Sequence, residues 1–93
     1  MVGQLTLHLS FPGCSSLKEK RGRLKPLLHR LHREFNISVA EMDLQDKWQE
    51  ALIACGMIGN DRVHLERSLQ TVARWVEDHL AEGTVLGDSL EIL

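Results

Sequence analysis

Seven of the chain's eleven lysines and arginines fall in one stretch, Ser16 to Phe35 (SLKEKRGRLKPLLHRLHREF). They are Lys18, Lys20, Arg21, Arg23, Lys25, Arg30 and Arg33, and the only acids among them are Glu19 and Glu34. Cations at this density can neutralise phosphates on a polyanion, so the chemistry they offer is nucleic-acid binding. At about 100° per helical residue, Lys18, Arg21, Lys25, His29, His32 and Arg33 share one flank, and Arg23 and Arg30 lie on the other. An ordinary salt-bridged helix would place acids at the i+4 partner positions, and this stretch nearly lacks them. The competing reading is a solvated helix face, since exposed helices commonly carry charge.

The remaining reactive residues form weaker patterns. Glu41, Asp43, Asp46 and Glu50 cluster in sequence and could hold a hard cation, keep a turn hydrated, or meet a basic partner. Trp48 stands in a polar connection, where it either anchors the turn or touches a partner, so Glu41, Asp43, Asp46 and Trp48 are the expected partner-binding set. His8, His29, His32, His64 and His79 show no metal-ligand spacing with a cysteine, and no metal is expected. Cys14 precedes a helix start, where free amides favour an anion. A cysteine phosphatase needs an arginine six residues after its nucleophile; Lys20 stands there. No nucleophile–base pair and no cofactor loop emerges, so the expectation is no enzyme, no catalytic residue and no cofactor.

These residues must be positioned by regular elements. Met1 to Phe11 alternates, with Leu5, Leu7, Leu9 and Phe11 facing one way and Gln4, Thr6, His8 and Ser10 the other, which predicts a strand polar on one face. Pro12 and Gly13 end it. Leu17, Leu24, Leu28, Leu31 and Phe35 form the apolar stripe of the basic helix, with Leu27 on its edge. Ser16 and Glu19 read as a capping box. Pro26 cannot donate to the carbonyl of Gly22, which predicts a kink within one helix. Asn36–Asp43 is a second strand. Glu50–Ile58 is apolar on both sides and reads as a central strand whose outer face would be an interface. Asn60 or Asp61 caps a second helix, striped by Leu65, Leu69, Val72, Val76 and Leu80 with Trp75 beside it. Gly83 fits the position after its C-cap, and Thr84–Leu93 closes the chain as a strand.

The order β-α-β-β-α-β is the ferredoxin-like plan, an α+β sandwich with a four-stranded antiparallel sheet and two helices on one face. Its central strands would be the first and third, and neither offers the aromatics on which such sheets stack RNA bases. Any RNA must therefore be met by the basic helix. Residues 1–93 make one small domain. Net charge is −2, with five acids and no Lys or Arg from Glu77 onward. That balance argues against a general polyanion binder while leaving a local ridge free to act within a screening length of about 8 Å. No apolar run spans a membrane, no secretory signal is evident, and two cysteines make no disulfide framework. A cytoplasmic protein with reduced thiols is expected.

Four pieces, Ser16–Arg21 (SLKEKR), Ser38–Asp43 (SVAEMD), Asp46–Trp48 (DKW) and Asn60–Asp61 (ND), resemble in order and spacing the YlxP-like bacterial family, which carries a domain-of-unknown-function label. The resemblance covers nearly the whole chain. It implies a ferredoxin-like fold and a bacterial cytosolic protein. Family members are often encoded near translation and ribosome-maturation factors, which implies a ribosome or RNA connection. It brings no catalytic residues, and Pro26 departs from the family pattern. The leading expectation is thus a non-enzymatic module that contacts a ribosome or RNA through the seven cations. The alternative is a homodimeric regulatory or structural domain that binds an acidic protein partner or a small anion.

Overall fold

A computed structural model describes residues 1–93. Strand β1 (Val2–Ser10) leads to helix α1 (Leu17–Glu34), strands β2 (Ser38–Asp43) and β3 (Glu50–Ile58), helix α2 (Arg62–His79) and strand β4 (Thr84–Ile92). The sheet order is β2-β3-β1-β4, and every neighbouring pair is antiparallel. This is the ferredoxin-like arrangement expected from the element order.

Alternation explains which side of the sheet is covered. Leu5, Leu7 and Leu9 of β1 and Ala51, Ile53 and Cys55 of β3 are buried under the helices. Leu24, Leu27 and Leu31 of α1 and Leu65, Leu69, Val72 and Val76 of α2 are buried as well, and all of these but Leu65 join one core cluster. The opposite face has no second layer. It carries Gln4, Thr6, His8 and Ser10 of β1, Leu52, Ala54 and Gly56 of β3, and Ala40 of β2, which pairs with Ala54. Its polar half lies over β1 and β4, and its small and apolar half over β3 and β2.

Pro26 sits inside α1, and the helix nonetheless runs unbroken from Leu17 to Glu34. Ser16 caps it, its hydroxyl accepting from the Glu19 amide at 3.1 Å. The reciprocal half of the predicted capping box is displaced by one residue: the Glu19 carboxylate accepts from the amide and hydroxyl of Ser15, at 3.0 and 2.9 Å. Those two bonds, joined by the Arg23 guanidinium, hold the Glu19 carboxyl below the usual range.

The end of α2 also departs from expectation. The helix is capped at Leu80, and the left-handed residue is Glu82 (φ 56°), with Gly83 outside that region. Gly83 is required for a different reason. A Cβ there would lie 2.8 Å from the backbone oxygen of Ser10, so only glycine lets β4 start beside the end of β1.

Candidate functional site

The seven cations of the first helix divide into three groups. Lys18, Arg21, Lys25 and Arg33 are exposed, and none lies within ion-pair distance of a carboxylate. His29 and His32 are exposed on the same flank. The helical period sets this arrangement: the buried Leu24, Leu27 and Leu31 fix the inner face, and these residues fall well away from it.

Lys20 does not belong to the ridge. Its side chain is only 1% exposed. It stands four, seven and eleven residues before Leu24, Leu27 and Leu31, which places it on the core-facing stripe. That spacing was legible in the sequence. The Lys20 ammonium donates to the carbonyl oxygens of Leu44 at 2.9 Å and Glu50 at 3.0 Å, with Gln45 farther off at 3.5 Å. Its three protons are thus aimed at backbone oxygens of the β2–β3 connection. Glu41 Oε2 lies 3.1 Å from Lys20 Nζ, and no donor is directed at it. The Lys20–Glu41 contact is therefore charge attraction without hydrogen-bond geometry.

Arg23 and Arg30 face away from the ridge. Arg23 Nη2 is 2.8 Å from Glu19 Oε1 and 3.6 Å from Glu82 Oε2, while its Nη1 is buried and no protein atom accepts from it. The Arg30 guanidinium lies 5.0 Å from the Trp75 ring centroid. Trp75 stacks on His79, at 4.3 Å and 14°, and meets Phe35 edge-on, so it closes the rim of the core.

The expected partner-binding set is not one patch. Glu41 points inward to Lys20, because it pairs across the sheet with the buried Ile53. Its side chain is 21% exposed. Asp43 and Asp46 are exposed, and Asp43 accepts from the Leu44 amide at 2.8 Å, helping that residue hold its positive φ of 62°. Glu50 is engaged with His8, Nε2 to Oε1 at 2.8 Å on the open sheet face. The four carboxylates therefore do not converge, and no group of three or more metal-binding side chains forms. Trp48 is 52% exposed, a surface residue of the β2–β3 connection. Both cysteines are free and buried, and burial pushes the Cys55 thiol up to about 11.

Similarity to known proteins gives the chain a family. The model of the family described as "Protein of unknown function (DUF503)" matches residues 2–86. The chain belongs to this family. One relative, the "Uncharacterized protein YlxP" of Bacillus subtilis (strain 168), is 34% identical over 77 residues, which is 83% of this chain and 84% of that protein. Membership in DUF503 agrees with the family resemblance of the SLKEKR and SVAEMD segments. In this member those two segments meet through Lys20 and Glu41. No helix is long and apolar enough to cross a membrane.

Proposed function

We propose that this protein is a non-enzymatic cytoplasmic binding module that holds RNA, with the ribosome as the first target to test, through the exposed flank of α1. Lys18, Arg21, Lys25 and Arg33 supply the charge. One observation carries the reading: these four cations stand exposed with no carboxylate partner. A face evolved only for solubility would gain by pairing them with acids at i+4. Left unpaired, Lys18, Arg21 and Lys25 follow one another at i+3 and i+4 spacing and repel one another, with Arg33 two turns farther on; a polyanion relieves that repulsion while releasing counterions. Contacts of this kind position a nucleic acid by its phosphates and carry no base sequence.

The test is binding of the purified protein to ribosomal subunits and ribosomal RNA at two salt concentrations, beside the Lys18→Glu/Arg21→Glu/Lys25→Glu variant with its fold checked by circular dichroism. Binding that weakens steeply with salt and disappears in the variant supports the reading. In milder Lys→Gln and Arg→Gln form, loss of three phosphate contacts should flatten the slope of log K against log salt by about 2–3. Absence of binding to either target at low salt ends it.

A second reading concerns assembly. Met42 and Ile58, at 57% and 81% exposed, flank the small-residue half of the open sheet face. We infer that a second copy of the chain covers this face.

A further inference from the structure

The other flank of α1 carries a site that the ridge does not use. Between α1 and the chain leaving α2 is a cleft of about 270 Å³, with Gly22, Arg23, Pro26, Arg30, His79 and Glu82 on its walls. Most of its exposed lining is apolar, and its polar groups stand at a few points. Arg23 Nη2 is held by Glu19, which fixes the guanidinium plane, and Nη1 is left buried without an acceptor. A donor in that condition costs free energy until something accepts from it. Arg30 brings a second guanidinium, set against Trp75. Gly22 presents no Cβ, and nothing lies within 4 Å of where one would be, so that wall is open.

Glu82 guards this cleft. Its carboxylate is 3.6 Å from Arg23 Nη2, longer than a hydrogen bond, and its side chain is 77% exposed. That carboxylate occupies Arg23 loosely and swings into solvent at little cost. An anion with several oxygens spread around a centre can take its place, accepting from Arg23 and Arg30 at once. A tetrahedral oxyanion offers oxygens in more directions to two guanidiniums lining one cleft than a planar carboxylate does.

We propose that this cleft binds a phosphate group, as the free ion or as the monoester of a small molecule. The site is separate from the ridge, so it stands or falls without the RNA reading. Arg23 and Arg30 donate to the phosphate, Glu82 competes with it, and the Trp75–His79 stack reports occupancy because Arg30 rests on that indole.

The test uses tryptophan fluorescence of the full chain in a Trp48→Phe background, which leaves Trp75 as the sole indole. Inorganic phosphate, ribose 5-phosphate and acetate are titrated separately at constant ionic strength. Two charge-assisted donors predict saturation with a midpoint of about 1–10 mM for phosphate. Arg23→Gln and Arg30→Gln should each raise that midpoint by about tenfold or more, and Glu82→Gln should lower it. Lys47→Gln, remote from the cleft, should leave it alone. Arg30 is exposed, so its variant keeps the test valid should Arg23→Gln unfold. Ribose 5-phosphate saturating below phosphate assigns the monoester, and phosphate saturating first assigns the free ion. A response that does not saturate, one that is unchanged in Arg30→Gln, or saturation by acetate as readily as by phosphate overturns the proposal.

Discussion

Lys20 and Arg21 are adjacent in sequence and have opposite fates. One is inside and satisfied, the other outside and unpaired. What separates them is 100° of helix rotation. A count of cations treats them alike, and that is why composition alone misplaced Lys20. The position of Lys20 on the leucine stripe was readable from spacing, but its acceptors were not. The carbonyls of Leu44 and Glu50 come from a connection more than twenty residues away, and only the closed fold brings them to the ammonium. Removing the ammonium leaves these carbonyls short of a donor and Glu41 without its counter-charge. Lys20→Met should therefore destabilise the protein by about 3 kcal/mol, the low end for breaking a buried pair, because the Glu41 side chain is 21% exposed. Glu41→Gln should cost roughly 1 kcal/mol, since the ammonium keeps its carbonyl acceptors. Urea unfolding of both variants checks the order, and equal costs would show that the ion pair and not the carbonyl set holds Lys20. A domain of this size has only about 5–14 kcal/mol in all, so the Met variant is predicted to fold with a visibly lower midpoint.

The strands and helices followed from alternation, from leucine spacing and from the Ser16 and Asp61 caps, because those signals are local. Asp61 accepts from the amides of Val63 and His64 at 3.0 and 3.3 Å, as a cap should. Glycines were harder to read, since a glycine's reason can be conformational or steric and the sequence does not distinguish them. Gly83 looked like a helix terminator and is in fact a spacer against Ser10. Gly22 has neither reason within the fold itself: it sits inside α1, on the wall of the cleft, with open space where a Cβ would be. Gly22→Ala should accordingly stabilise the protein by about 0.5–1 kcal/mol through helix propensity. Gly83→Ala should destabilise it by about 1–3 kcal/mol, because the backbone of Ser10 cannot yield as a side-chain tip would. Thermal unfolding checks both: at about 4–8 °C per kcal/mol for a domain of this size, the two variants should move in opposite directions by measurable amounts. Should Gly83→Ala prove neutral, the start of β4 is more pliant than its approach to β1 implies.

At the scale of the whole molecule the two layers are unequal. One face of the sheet is sealed by both helices, and the other presents Ala40, Leu52, Ala54 and Gly56, with Met42 and Ile58 at the margins. Three nine-residue strands and the six-residue β2, at about 3.3 Å per residue and about 4.8 Å spacing, make a face of at most roughly 30 by 19 Å. A stable interface needs about 800 Å² of accessible surface per partner, roughly one seventh of the 5717 Å² exposed here. The open face and its rim are of that order. Small residues at its centre let two sheets approach to the usual packing distance of about 10 Å. A homodimer formed this way has a consequence for the ridge. The helices lie on the far side of each sheet, so both ridges remain outward and the dimer would present two copies of the flank proposed to bind RNA. Pairing through the β2 edge would instead bring the partner beside α1 and crowd Lys18, Arg21 and Lys25. The sheet-face arrangement predicts twice the 10.6 kDa chain mass by light scattering at micromolar concentration. Ala54→Glu, a charge at the centre of the face, should give the monomer mass with an unchanged circular dichroism spectrum, while the ridge variant should stay dimeric. A monomeric wild type at that concentration sinks the dimer outright. A dimer that survives Ala54→Glu and is lost in the ridge variant would move the interface to the β2 edge, and with it the ridge from an RNA-binding surface to a subunit contact.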